Sequence, residues 1–234
     1  MKPEQQSDYY IDEHGNLKYN PDYIEVRPNY FNISVFFLIV VHLVGLIGLL
    51  SPVKEMFLKL TPFNLLLSII LLLSFQKIWN KNFIIWVVIV FLSGFFVEVL
   101  GVKTGKIFGV YSYGETLGPK LFEVPVMIGV NWLMLAYASA TLVNKLNITK
   151  ILKAVLAAIL MVFLDFLIEP IAIKNDFWSW ENNIIPVQNF IAWFVVSFLM
   201  QLMCFYQPIN KFNPFGLVLY LVQICFFLLL LIFQ

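Results

Sequence analysis

Seven long apolar runs leave this chain only one solvent to fold in. They lie at roughly 31–50, 56–77, 83–102, 124–143, 152–173, 186–207 and 214–233. A helix that crosses a bilayer needs about 20 mostly apolar residues, because each residue rises 1.5 Å against a hydrocarbon core about 30 Å thick. The charge inventory agrees. Apolar residues make up 61% of the 234 residues and charged residues 12%, where a soluble domain carries about 25% charged. That is too little polar surface to cover a body in water. The fold expected is an all-α integral membrane protein with seven transmembrane helices over 31–234, preceded by a polar tail, 1–30.

The second run is the weakest, since Lys59, Thr61 and Pro62 interrupt its start. Pro125 and Pro186 stand where the fourth and sixth helices should begin, a position at which proline loses no hydrogen bond. Pro170 is expected to close the fifth helix or kink it. The tail carries Glu4, Asp8, Asp12, Glu13, Asp22 and Glu25 and no apolar run, so it is not a signal peptide. Order in it is expected around Tyr9, Tyr10 and Tyr19.

An odd number of spans puts the termini on opposite sides. Lys2, Lys18, Arg27, Lys77, Lys81, Lys145, Lys150, Lys153 and Lys211 fall on the N-terminal side, and Lys54, Lys59, Lys103, Lys106, Lys120 and Lys174 on the other. The positive-inside rule then predicts a cytoplasmic N-terminus in the cytoplasmic membrane, with loops 103–120 and 174–185 on the opposite side. Beyond residue 30 the acids are Glu55, Glu98, Glu115, Glu123, Asp165, Glu169, Asp176 and Glu181. All of them fall on or toward the end away from the N-terminus, so the polar chemistry belongs to that end.

Several function classes drop out. A net charge of +1 gives no footprint for nucleic acid. A single arginine, Arg27, cannot build a bidentate diphosphate clamp. Two histidines and two cysteines are too few for a zinc framework, and Cys204 and Cys225 read as buried free thiols. The last span, 214–233, has no lysine for a retinal Schiff base. Asp165-x-x-x-Glu169 could hold Mg²⁺ as in membrane prenyltransferases, but there is no Asn-Asp-x-x-Asp run beside it. His42, alone in mid-helix, reads as packed or bonded to its own helix.

The chain repeats itself. An offset of 67 residues carries Glu98 to Asp165, Tyr111 to Trp178 and Tyr113 to Trp180. An offset of 61 carries Pro125 to Pro186 and Trp132 to Trp193. Each unit is a helix with an acid near its far end, an aromatic-Ser-aromatic triplet, then a proline-started helix with a tryptophan two turns in. Spans three and four would then be a parallel repeat of spans five and six about an axis along the membrane normal, with Glu98 and Asp165 in equivalent places. Such repeats place ligand sites at their interface.

Intramembrane acids are costly, and so are functional candidates by default. Asp165 and Glu169 are four apart and share a helix face. Asn131 lies about two turns into span four, and Gln188 and Asn189 in the first turn of span six. No cation in the spans pairs with the acids, so desolvation favours the neutral form of at least one, which can then serve as a general acid. The bland alternative is a polar cluster that only holds helices together. Tyr111, Tyr113, Trp178 and Trp180 fit equally an interfacial aromatic belt or a cavity lining whose ring faces stabilise a developing cation.

The run Glu98-x-x-Gly101-x-x-x-Gly105-x-x-x-Gly109-x-Tyr111-x-Tyr113, with Leu117-Gly118 and Val124-Pro125, resembles the membrane carotenoid hydratases. So does Asp165-x-x-x-Glu169-Pro170-x-Ala172, with Trp178-x-Trp180 and Pro186-x-x-Asn189. The likeness covers about 94–200. Two positions depart from the pattern: Glu169 stands where Asp is usual, and Glu123 where Gly is usual. The resemblance implies addition of water to the terminal 1,2 (1′,2′) C=C of an acyclic carotenoid end group, giving a tertiary alcohol without metal or organic cofactor. Asp165, Glu98 and Glu169 would be catalytic. Tyr111, Tyr113, Trp178, Trp180, Asn131, Asn189, Trp132 and Trp193 would hold substrate and water. The expected partners are a carotenoid or other polyene lipid, membrane lipid and other enzymes of carotenoid biosynthesis. Two other readings stay open: a non-catalytic carotenoid-binding or assembly protein, and a proton or ion translocator. The latter needs a polar path to both faces, and the near-cytoplasmic halves of spans three to six look almost free of polar side chains.

Overall fold

The computed structural model describes residues 9–11, 17–19 and 28–234. In the tail, β1 (Tyr9–Ile11) pairs antiparallel with β2 (Leu17–Tyr19), placing Tyr9 opposite Tyr19. The tail acids Glu4, Asp8, Asp12, Glu13, Asp22 and Glu25 and the basic Lys2 and Arg27 lie outside the described residues.

The helices follow as α1 (Pro28–Leu49), α2 (Lys54–Leu58), α3 (Thr61–Ser74), α4 (Lys81–Thr104), α5 (Met127–Asn144), α6 (Lys150–Lys174), α7 (Val187–Tyr206) and α8 (Pro214–Phe233). All but α2 and α3 are long and apolar enough to cross a membrane, six in number among the described residues. The second expected span, 56–77, is broken at Lys59 and Leu60 into α2 and the 14-residue α3. At 1.5 Å per residue α3 reaches only about 21 Å. The chain still traverses the bundle there. Tyr30 on α1 donates to Ser74 at the end of α3 over 3.2 Å. At the opposite end Lys54 reaches the Lys174 carbonyl, 3.3 Å away.

Side-chain caps fix several starts: Asn80 accepts from the Phe83 amide, Thr149 from Leu152 and Asn213 from Phe215. Pro125 and Pro186 sit just outside their helices rather than in the first turn, with Pro186 as the N-cap of α7. Helix α6 continues through Pro170 to Lys174. Helix α5 is central: every residue from Trp132 to Ala140 is buried. Ala136, Ala138 and Ala140 on α5 and Ala154, Ala157 and Ala158 on α6 are all buried, small side chains of the kind that let helices approach closely, and α5 packs against α6. Phe36, Ile47, Phe166 and Leu199 project outward on the exposed surface, as an apolar solvent requires.

Two expectations need correction. Cys204 is buried, but Cys225 is exposed, because Gln223, Phe227 and Leu230 take the inward stripe of α8. The halves of α4 to α7 on the side where α1 begins are not free of polar groups either. Tyr137 and Ser139 on α5, with Ser197 and Gln201 on α7, are buried there.

The far-end loops form a cap. Strand β3 (Tyr111–Tyr113) pairs antiparallel with β6 (Trp178–Trp180), while β4 (Lys120–Leu121) and β5 (Val124–Pro125) make a hairpin. Phe122 and Glu123 turn that hairpin with φ of 54° and 69°. Both values are in the left-handed region where glycine is at home, and Glu123 occupies it at the position where the resemblance expects glycine. Gly114 packs directly on Asp176: an added Cβ would lie 2.1 Å from its carbonyl oxygen.

Candidate functional site

The two triplets predicted to be repeats pair with each other. Tyr111 faces Trp180, Ser112 faces Ser179 and Tyr113 faces Trp178. A two-fold rotation that sends Tyr111 to Trp178 maps this register onto itself, as the 67-residue offset demands. The second pair behaves likewise: Trp132 and Trp193 stack with centroids 3.8 Å apart and planes at 11°. Both contacts lie between the two units, so their axis runs from the loop cap into the helices.

The triplet side chains point inward, onto carboxyls. Glu98 Oε2 accepts from the hydroxyls of Tyr111 at 2.5 Å and Tyr113 at 2.8 Å, and Oε1 accepts from Trp132 Nε1 at 3.0 Å. In the other unit, Glu169 Oε2 accepts from the indoles of Trp178 at 3.0 Å and Trp180 at 2.8 Å. Its Oε1 accepts from Asn189 Nδ2 at 3.0 Å. The carboxyl that plays the part of Glu98 is therefore Glu169, one helical turn beyond the Asp165 expected from the offset. Among the described residues Asp165 is held only by Asn189 Nδ2, 3.1 Å from Oδ2. Among the described residues its Oδ1 has no partner. Glu98, Asp165 and Glu169 are all buried, at 3%, 2% and 1% exposure.

These aromatics are more than an interfacial belt. Each donates an N–H or O–H to a buried carboxyl, and Tyr111 and Trp180 pack with centroids 4.9 Å apart. Burial, and then the neighbouring Glu98 charge, push the phenols of Tyr111 and Tyr113 above the usual tyrosine range. Their protons therefore stay in place as donors. Gly94 lets α4 and α5 come together here: an added Cβ would lie 2.5 Å from Trp132 Cβ. The cap is tied down by Glu115 N to Asp176 Oδ2 at 3.2 Å and Thr116 Oγ1 to the Asn175 carbonyl at 2.9 Å. Gln188 adds a bond to the Ile107 carbonyl at 3.1 Å, a fastening role that its polarity alone did not disclose.

Two spaces meet at these groups. The smaller, about 20 Å³, is lined by Glu98, Asp165 and Glu169 with Tyr111, Tyr113, Trp178, Trp180, Asn131, Asn189 and Trp193. Trp132 backs it through its bond to Glu98 and its stack on Trp193. A cavity of this size and polarity fits one water, which needs about 10–15 Å³ and two to four polar partners. The larger, about 360 Å³, is an apolar chamber between α1, α3 and α8. Ile128, Asn131 and Trp178 line both. The Asn131 amide has no hydrogen-bond partner among the described residues and stands at the junction. The chamber was not foreseen from sequence. Its signals are uncharged amides inside apolar runs, Asn64 and Gln223, which look like ordinary helix glue.

Residues 60–233 match the family described as carotenoid biosynthesis protein. A stretch of 107 residues is 32% identical to the bisanhydrobacterioruberin hydratase of Haloarcula japonica, covering 42% of this chain and 36% of that protein. The likeness thus spans little more than a third of that relative's length. No solved structure matches the chain.

Proposed function

Because the chain belongs to the carotenoid biosynthesis protein family, we propose that it is a cofactor-independent hydratase. It adds water across the terminal 1,2 (1′,2′) C=C of an acyclic carotenoid end group and yields a tertiary alcohol. The observation that carries this reading is the junction of the two spaces: a water-sized cavity walled by three carboxyls shares Ile128, Asn131 and Trp178 with an apolar chamber large enough for an end group. The bisanhydrobacterioruberin hydratase likeness points the same way.

The hydrogen-bond inventory divides the labour. Glu98 and Glu169 each accept three donors. An indole N–H can only donate, so the ionised form suits Glu169, and Glu98 is equally well met as an anion. Asp165, beside two anions, in a dry site and with Oδ1 free, is the group that keeps a proton. An isolated alkene is a weak base and needs such an acid. Asp165 gives its proton to the less substituted alkene carbon, leaving a tertiary carbocation and an aspartate. The ring faces of Trp178 and Tyr113 lie against the cation. Water held by Asn131, Asn189 and Glu169 adds to the cation and loses a proton to Glu169. Transfer of that proton to Asp165 resets the site. The net change is alkene plus water to alcohol. The polyene enters from the bilayer through the chamber, and we propose a cytoplasmic-membrane location with the N-terminus cytoplasmic, beside other enzymes acting on the same pigments.

Expression in cells that make lycopene tests the reading. Extracted pigment is expected to gain the mass of one water per reacted end. Pigment that is bound and co-purified but unchanged in mass would favour a carotenoid-binding protein instead.

A further inference from the structure

The chamber carries a second polar station that the hydration step does not use. His42 on α1 and Gln223 on α8 are buried in its wall. His42 Nδ1 lies 2.9 Å from the Leu38 carbonyl. A carbonyl only accepts, so Nδ1 carries the ring proton and Nε2 is an acceptor. Gln223 Nε2 donates to it over 3.2 Å. That bond sets the amide's direction, nitrogen toward the histidine and Oε1 away. Among the described residues Oε1 has no donor, although Gln223 is only 7% exposed. Asn64, on the first turn of α3, lines the same chamber, and its buried Oδ1 also lacks a partner. Unmet acceptors in an apolar space inside lipid are costly. The glue between α1 and α8 explains the His–Gln bond but leaves both oxygens unmet.

We infer that Gln223, aimed by His42, and Asn64 form a hydroxyl-binding subsite, so that the chamber selects an acyclic isoprenoid bearing an alcohol on the segment it holds. The ligand must bring a donor, because the fixed Gln223 oxygen can only accept. A ketone brings another acceptor, and a plain hydrocarbon leaves the oxygen unmet. Among the described residues no lysine, arginine or carboxylate lines the chamber, so neither an anion nor a cation finds its counter-charge. The isoprenoid class rests on the hydratase reading, while the hydroxyl follows from the subsite itself. The subsite also gives the chamber a means of distinguishing a polyene already oxygenated near its end from one that is not.

The test compares a fifteen-carbon prenyl alcohol with the hydrocarbon of the same skeleton, binding to the purified full chain in lipid nanodiscs by quenching of tryptophan fluorescence. The alcohol is expected to bind about three- to tenfold more tightly, the effect of one hydrogen bond. In Gln223→Met, which keeps the shape, that ratio is expected to fall toward one, and Asn64→Leu lowers it independently on another helix. A ratio of one in the wild type overturns the inference, leaving the amides with water or with a purely structural role. So does a ratio unchanged in both variants. Lycopene hydration is assayed on the same preparations. The same preparations are also given a lycopene derivative hydroxylated at one end; discrimination with neither polyene hydrated sinks the reaction but supports the subsite, and hydration without discrimination sinks the subsite alone.

Discussion

Glu169 receives three donors and Asp165 one, and the roles proposed for them rest on this inequality, which residue type alone does not show. It also sharpens what the aromatics do. Trp178 offers both a ring face and an N–H to Glu169, 3.0 Å away. Trp178→Phe keeps the face and removes the donor, so it is expected to cost about 1–3 kcal/mol of stability yet retain more hydration than Trp178→Ala. Thermal unfolding and initial rates on the two variants check this; equal activity in both would remove the ring face from the account. Tyr111 and Tyr113 give a pH prediction. Their phenols are raised above the usual range by burial. Below about pH 10 both folded and unfolded chains keep these groups neutral. Above it the unfolded chain releases the protons and the folded one holds them, so stability falls as pH rises. Ultraviolet titration of the folded protein at pH 11 is expected to show the same phenolate signal with and without Tyr111→Phe and Tyr113→Phe. A signal that drops in those variants would show that these hydroxyls ionise in place.

Among the elements, the close approach of α4 and α5 holds Trp132 on Glu98 and against Trp193. Gly94→Ala would put a methyl 2.5 Å from Trp132 Cβ. It is expected to cost about 1–3 kcal/mol as overpacking and to lower hydration by displacing the indole, with no effect on membrane insertion. Unchanged activity would mean that the stacked pair does not position the carboxyl. Much of this level was legible in the sequence. Intramembrane acids stand out against an apolar run, and the 67-residue offset anticipated that Tyr111–Tyr113 and Trp178–Trp180 are counterparts. What the offset could not give was the identity of the bonded acid. Asp165 and Glu169 share a face, and a longer side chain one turn nearer the cap decides which reaches the indoles. The shortness of α3 was signalled by Lys59 and Pro62. The chamber was hidden because most of its walls come from α1, α3 and α8, which lie outside the repeat, and only part from α5, α6 and the cap loops.

On the scale of the whole molecule, charge is divided between the ends. Lys77, Lys81, Lys145, Lys150, Lys153 and Lys211 lie at the end where α1 begins, and among the described residues no acid joins them there. Lys211 is packed well enough that burial lowers its affinity for a proton. We therefore expect a cysteine placed at Glu115 to be labelled by an impermeant reagent from outside intact cells; labelling only after permeabilisation would invert the topology. In the proposed reaction a buried carboxylic acid protonates the polyene end and water completes the addition. Its most direct test is hydration of lycopene by purified protein in heavy water, comparing wild type with Asp165→Asn. The wild type is expected to place one deuterium on the carbon next to the new tertiary alcohol. The variant, folded and still binding pigment, is expected to slow by about 10²–10⁴-fold, the usual contribution of a general acid. Hydration by Asp165→Asn at the wild-type rate would contradict it.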